Sequence, residues 1–206
     1  MILESFPTGP LQVNCYIVGC EETRQAAIID PGGDVEQILT LVEKLNLKVV
    51  KLINTHGHFD HVGGNAKLIA KTGAEFYLHE SDKKLLNMAG EHALLYGLQA
   101  EPSPEPDKLL SGGEEIEIGQ LKLKVLHTPG HTPGGICLYV DRHVIVGDTL
   151  FAGSVGRTDL PGGNHQQLVE SIQTQLLPLP DTTVVHPGHG PETTIGREKS
   201  YNPFLT

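Results

Sequence analysis

The segment "THGHFDH", Thr55–His61, places His56, His58, Asp60 and His61 within six residues, between the apolar run "LKVVKLIN" and the glycine pair Gly63–Gly64. Imidazoles and a carboxylate at this density are the donor set of a metal site. Solvated loops draw instead on Ser, Asn, Gly and other turn formers. The i, i+2 spacing of His56 and His58 sets both on one side of an extended backbone. Asp60 and His61 must turn with the loop, and Gly63–Gly64 let the backbone bend before the next helix. The loop thus presents donors at two angles, unlike the i, i+4 pair of a helical HExxH site. One ion rarely takes four ligands from six consecutive residues, because tetrahedral directions cannot all be met. Two ions, each drawing on part of the loop, resolve the crowding.

Two ions need further donors, and the second half of the chain offers them at strand exits. His131 lies in "HTPGHTPGG", Asp148 in "VIVGDTLF" and His189 in "VVHPGHGP". An isolated histidine at a strand end is ordinarily a surface or hydrogen-bonded residue. On that ground His79, His92, His127, His143, His165 and His186 are assigned structural or solvated positions. Asp30, in "IIDPGG", either hydrogen-bonds a ligand-bearing loop or simply starts a Pro-Gly turn.

The elements that must position these residues alternate between strand and helix. "LQVNCYIVG" (11–19), "AAIID" (26–30), "LKVVKLINT" (47–55) and a stretch at 74–79 read as strands. "DVEQILTLVEKLN" (34–46) has helical spacing behind Asp34 as N-cap. Further helices are expected near 66–72 and from Ser81, with 85–98 a candidate wall of a substrate groove. "AEPSPEPDK" (100–108) reads as a linker dividing one domain, 1–206, into pseudo-halves 1–105 and 106–206. Beyond it come a strand from Leu121, a hairpin of "ICLYVD" and "HVIVGD", a helix over 165–177 and a strand within 182–190. This order predicts an α/β layered fold with mixed sheets.

Composition narrows the partners. The chain has 206 residues, 38% hydrophobic and 19% charged, which suits a packed core. A formal charge of −10, no basic run and no Trp argue against nucleic acid as partner. Cys15, Cys20 and Cys137 are odd in number, lack CxxC spacing and read as small apolar packing residues. No apolar run is long enough to span a membrane and no signal peptide is visible, so a cytoplasmic location is expected. Nothing in the pattern fixes an oligomeric state.

"THGHFDH" matches the T-H-x-H-x-D-H signature of the metallo-β-lactamase superfamily, and His131, Asp148 and His189 follow in the order of its remaining ligands. The resemblance covers essentially the whole chain. It implies a four-layer αββα sandwich with the site at one edge. It also implies that His56, His58 and His131 hold one metal, that Asp60, His61 and His189 hold a second, and that Asp148 bridges them. Zn²⁺ is the leading candidate, with Fe or Mn²⁺ compatible with the same donors.

Within the superfamily, Asp148 rather than Cys at the bridge resembles thioester hydrolases, lactonases and phosphodiesterases more than true β-lactamases. "GDTLFAGSVGRTD" (147–159) and "HGPETTIGREKSYNPF" (189–204) are similar to segments of the hydroxyacylglutathione hydrolases, the glyoxalase II group. The implied activity is hydrolysis of a small-molecule thioester, S-lactoylglutathione or a related hydroxyacyl thioester, by a hydroxide shared between the metals. Asp60 would orient that hydroxide. Arg157, where the group keeps a Lys, would hold a substrate carboxylate or else pair with Asp159 in its own loop. Asp159 and Pro191 replace two glutathione-contacting tyrosines, and the sequence stops before the group's C-terminal helical domain. "VGRTD" also resembles the "CGRTD" loop of mono-iron persulfide dioxygenases, and ester or lactone cleavage at the same metals is a third expectation.

Overall fold

The computed structural model describes residues 1–99 and 101–205. Strands β1 (Ile2–Thr8), β2 (Val13–Gly19), β3 (Gln25–Ile29), β4 (Lys48–Ile53), β5 (Glu75–His79) and β6 (Lys108–Leu110) form a first sheet in sequential order. β1–β2 and β2–β3 pair antiparallel, and β3 through β6 run parallel. Helices α1 (Val35–Lys44) and α3 (Asn65–Thr72) make the crossovers between the parallel strands, with α2 (Phe59–Val62) a single turn before α3. After β5 come a 3₁₀ turn, Glu80–Asp82, and the short helices α4 (Lys83–Asn87) and α5 (Ala89–Leu95).

The second sheet holds β7 (Glu115–Ile118), β8 (Leu121–His127), β9 (Ile136–Val140), β10 (His143–Gly147), β13 (Val184–Pro187) and β14 (Thr193–Thr194), in the order β14-β13-β10-β9-β8-β7. Only β10 and β13 pair parallel. A small hairpin, β11 (Leu150–Phe151) and β12 (Ser154–Val155), follows β10. Helix α6 (His165–Ser171) continues as a π-helical turn, Ile172–Leu176, and α7 (Ile195–Tyr201) closes the fold.

Three buried clusters correspond to the three interfaces of a four-layer sandwich. Ile17, Ile28, Leu52 and Phe76 pack under Ile38 and Val42 of α1 and Leu68 of α3. The opposite face of the same strands, Tyr16, Val18, Ile29 and Ile53, meets Leu123, Val125, Leu138 and Ile145 of the second sheet. Val144, Val146 and Val185 bury their outward side against Leu168, Ile172 and Ile195. The period-2 alternation of each strand thus feeds two cores, which makes the strands apolar on both faces. This is the αββα arrangement the motif implied.

Several local expectations change. β6 pairs with β5, so the first sheet extends to Leu110. Residue 100 of the expected linker lies outside the described residues, and Asp107 within it accepts a hydrogen bond from the Phe76 amide at 2.8 Å. Asp34 does not cap α1 with its side chain. Its φ is 49°, and its carboxylate accepts from the Gly9 amide at 2.8 Å. Gly63 and Gly64 are right-handed and need no special freedom. They are small because an added Cβ would meet the Gly32 carbonyl oxygen at 2.6 Å and that of Pro31 at 2.7 Å. Close approach of the "PGG" turn is the reason for this glycine pair, not bending.

Candidate metal centre

The loops leaving β4, β8, β10 and β13 converge, because parallel strand ends point their exits to one edge of the sandwich. In each of three groups the donor atoms lie within 4.8 Å of one another: His56, His58 and His131; Asp60, His61 and His189; and His56, His61 and Asp148. All seven residues singled out in the sequence are therefore brought together.

Hydrogen bonds behind the rings fix which nitrogen faces inward. His131 Nδ1 lies 2.7 Å from the Arg157 carbonyl oxygen, so it donates and leaves Nε2 as a lone pair. The Thr55 hydroxyl donates to Asp30 Oδ2 at 2.6 Å, so it accepts from His56 Nδ1 at 3.0 Å. His56 Nε2 is then a lone pair too. Both Nε2 atoms stand 3.0 Å from His58 Nδ1, which has at most one hydrogen to offer. Hydrogen bonding alone leaves this trio unsatisfied, whereas a cation between the three would satisfy it.

The other group repeats the logic. His61 Nδ1 donates to Asp30 Oδ2 at 2.9 Å. Its Nε2 faces Asp148 Oδ1 at 3.4 Å and Asp60 Oδ2 at 3.8 Å. His61 Nε2 and Asp148 Oδ1 are both buried without a hydrogen-bond partner. His189 Nε2 lies 3.2 Å from Asp60 Oδ2 and 3.8 Å from Asp148 Oδ2. Asp148 Oδ2 is also 3.7 Å from His131 Nε2, so this carboxylate stands between the two groups. Buried, orphaned donor atoms of this kind fit a divalent cation at each group.

The electrostatics follow from burial and from these neighbours. Burial, with the neighbouring imidazoles adding to it, keeps His56 neutral and pushes His58 down to about 3. Burial opposes a charged His61 as well, but Asp30, Asp148 and Asp60 outweigh it and raise its pKa. The hydrogen bond to Asp60 raises His189. Burial penalises Asp60 and Asp148, yet His61 holds both below the ordinary carboxylate range. In the apo chain His61 and His189 therefore keep protons above their usual range, and a cation must displace them. Apparent metal affinity should rise with pH, about tenfold per unit for each proton displaced. Competition titrations between about pH 6 and pH 8 check this slope, and a flat profile would argue against these two imidazoles as ligands.

Asp30 does hydrogen-bond a ligand-bearing loop. It is buried, has a left-handed φ of 51°, and accepts from the Thr55 amide, the Thr55 hydroxyl and His61 Nδ1. Asp tolerates that conformation better than most residues, and its place here ties backbone strain to the site. Asp30→Asn should lower affinity for the ion at His61 about 10- to 100-fold, read by metal competition.

Two supports carry no motif. Asp82, buried in the 3₁₀ turn, accepts from the Gly57 amide at 3.0 Å, the Thr132 hydroxyl at 2.8 Å and the Gly134 amide at 2.6 Å. One carboxylate thereby fastens the loop of His56 and His58 to the loop of His131. On β2, Tyr16 donates to the Pro187 carbonyl at 2.7 Å, and Asn14 donates to the carbonyls of Pro187 and Gly190. These bonds hold the loop of His189, and Gly188 is obligatory there because a Cβ would collide with Asp148 Oδ1.

Arg157 makes the intraloop pair. Its Nε and Nη2 donate to the two oxygens of Asp159 at 2.8 and 2.7 Å, with both side chains exposed. His79 stacks on His127 at 4.0 Å, and His143 hydrogen-bonds His186 at 2.8 Å, away from the centre. His92, assigned a structural or solvated place, instead lines a cavity of ≈ 460 Å³ whose floor is His58, Asp60, His131, Asp148 and His189. The three cysteines are buried and unpaired. Among the described residues no helix is long and apolar enough to cross a membrane.

Comparison with known proteins identifies the family. Residues 8–189 match the profile of the metallo-beta-lactamase superfamily, a span that ends on the last of the seven donors. The chain is 41% identical over 209 residues to hydroxyacylglutathione hydrolase GloC of Haemophilus influenzae, covering all of this chain and 98% of that protein. It superposes on the B3 metallo-beta-lactamase BLEG-1 with a TM-score of 0.93, 38% identity and complete coverage of both chains. TTHA1623, solved in a di-iron-bound form, gives a TM-score of 0.88 at 41% identity, with 97% of this chain and 98% of that one covered. With its fold, its seven converged donors and these relatives in agreement, the chain belongs to the metallo-β-lactamase superfamily of metallo-hydrolases.

Proposed function

We propose that the chain is a two-metal hydrolase of thioesters, with S-lactoylglutathione or a related hydroxyacyl thioester as substrate and Zn²⁺ in both positions. The observation that carries this reading is a pair of donor groups with Asp148 standing between them on one cavity floor, and both floor carboxylates held below their ordinary range. His56, His58 and His131 would hold one cation, and Asp60, His61 and His189 the other. When bound, the two cations would supply Lewis acidity, lowering the pKa of a water and polarising the carbonyl oxygen.

The chain's own groups do the rest. The ionised Asp60, at the cavity floor, accepts a hydrogen bond from the attacking water and orients it toward the carbonyl carbon. Asp30 and the Arg157 carbonyl hold the rings of His61 and His131 in the tautomers that present Nε2. Neither Asp60 nor Asp148 retains a proton for a leaving group. A thiol with a pKa of about 8.5 leaves as thiolate without a general acid, whereas an amine needs one. That difference favours a thioester over an amide or β-lactam. The 41% identity to GloC supports the same choice.

The test is a panel of S-lactoylglutathione, a simple acetyl thioester, a lactone and a β-lactam, with metal-loaded protein and an Asp60→Ala control. Thioester cleavage that falls by about 10³-fold in the control is expected. Turnover confined to the lactone or the β-lactam would overturn the reading.

A further inference from the structure

One wall of the ≈ 460 Å³ cavity is apolar from floor to rim: Leu85, Leu95 and Tyr96 from the helical segment, Leu11 from the β1–β2 turn, and Leu160 and Pro161 beyond Arg157. Leu95 is 82% and Tyr96 51% exposed, a heavy apolar display beside a polar floor. The Tyr96 ring rests 5.2 Å from that of Phe59, the neighbour of Asp60, so the wall is continuous with the reacting end. Among the described residues Arg157 is the one guanidinium on the cavity surface and no lysine lines the cavity, and the Arg157 Nε and Nη2 are engaged by Asp159. A carrier with two carboxylates therefore finds one guanidinium that Asp159 already holds, whereas a hydrocarbon finds six apolar side chains.

We propose that this wall binds a hydrocarbon or aryl arm of the substrate, so that the preferred thioesters carry an apolar rather than a charged peptide-like arm. The inference rests on the thioester reading above and, of the two substrates named there, favours a hydroxyacyl thioester with an apolar arm over S-lactoylglutathione. The arm belongs either to the acyl group or to the thiol, and the two hydrolysis series below distinguish them. Its volume suits a ligand of this size.

The binding test uses S-alkyl thioethers of N-acetylcysteamine, which cannot be hydrolysed, titrated calorimetrically into metal-loaded protein. Affinity should rise about fourfold for each methylene buried. The slope should collapse in Leu95→Ser, which folds normally because the side chain is exposed. Two hydrolysis series then locate the arm, one lengthening the acyl chain at constant thiol and one lengthening the thiol at constant acyl group. A rise of kcat/KM with length in either series, lost in Leu95→Ser, supports the inference. Binding without length dependence, or a slope unchanged in Leu95→Ser, overturns it even if short thioesters turn over. A dimer in sedimentation that Leu95→Ser dissolves overturns it as well, by giving the wall to a second copy of the chain. Length-dependent binding with no thioester hydrolysed leaves the apolar wall standing and removes the thioester reading instead.

Discussion

Asp148→Ala will lower thioester turnover by at least about 10³-fold and reduce the bound metal from two ions per chain to one or none. Its carboxylate is the one group whose oxygens approach His131 of the first donor group and both His61 and His189 of the second. Removing it would take away the negative charge available to offset two bound dications and would let each site drift from the other. Asp148→Asn keeps the shape without the charge and should fall between Ala and the parent chain. The apo Ala variant should still fold, because among the described residues the carboxylate pairs only with the histidines of the donor groups. Elemental analysis after dialysis, beside kcat/KM, checks both parts. Two tightly held ions in Asp148→Ala would show that the groups bind independently and that the bridge is not Asp148.

Asp82→Ala should cost about 4 kcal/mol of stability, although Asp82 touches no donor group directly. Three donors, the Gly57 and Gly134 amides and the Thr132 hydroxyl, would be left in a buried place with no acceptor, each at about 1–3 kcal/mol. For a domain of this size the midpoint of thermal unfolding should drop by roughly 8–16 °C. The effect on metal is distinct from the effect on folding. Gly57 separates His56 from His58, and Thr132 follows His131, so loosening both loops should weaken the ion at these three histidines about 10- to 100-fold at a temperature where the variant is folded. Asp82→Asn turns one oxygen into an amide facing the same donors and should recover part of the loss. Asp82→Glu has no room, because Gly134 already lies against the carboxylate. Thermal melts in EDTA separate the fold term from the metal term. An unchanged metal affinity in Asp82→Ala would make this residue a fold anchor alone.

The donors were legible because their chemistry is dense in sequence: four sit in six residues, and the others end short apolar strands. The layered fold was legible for a related reason, since strands that bury both faces carry few polar residues, as "CYIVG" and "VIVG" do. Asp82 left no such trace. Its three partners lie 25, 50 and 52 residues away, and nothing in "HESDKK" distinguishes a buried acceptor from a solvated acid. Strand β1 was hidden by its charge and by Pro7, which an edge strand tolerates and a central one does not. Asp34 misled because Asp before a helix is ordinarily its cap, whereas here a third element, the Gly9 turn, takes the carboxylate. The two roles open to Arg157 could not be separated by residue type, and geometry gave the guanidinium to Asp159.

Thioester cleavage measured against equivalents of Zn²⁺ added to the apo chain tests the central claim most directly. The account predicts cleavage that rises until two equivalents are bound and then saturates, with Asp60→Ala inactive at the same loading. Saturation at a single equivalent, or one tightly held iron with thiol-dependent oxygen uptake and no cleavage at any loading, would contradict it.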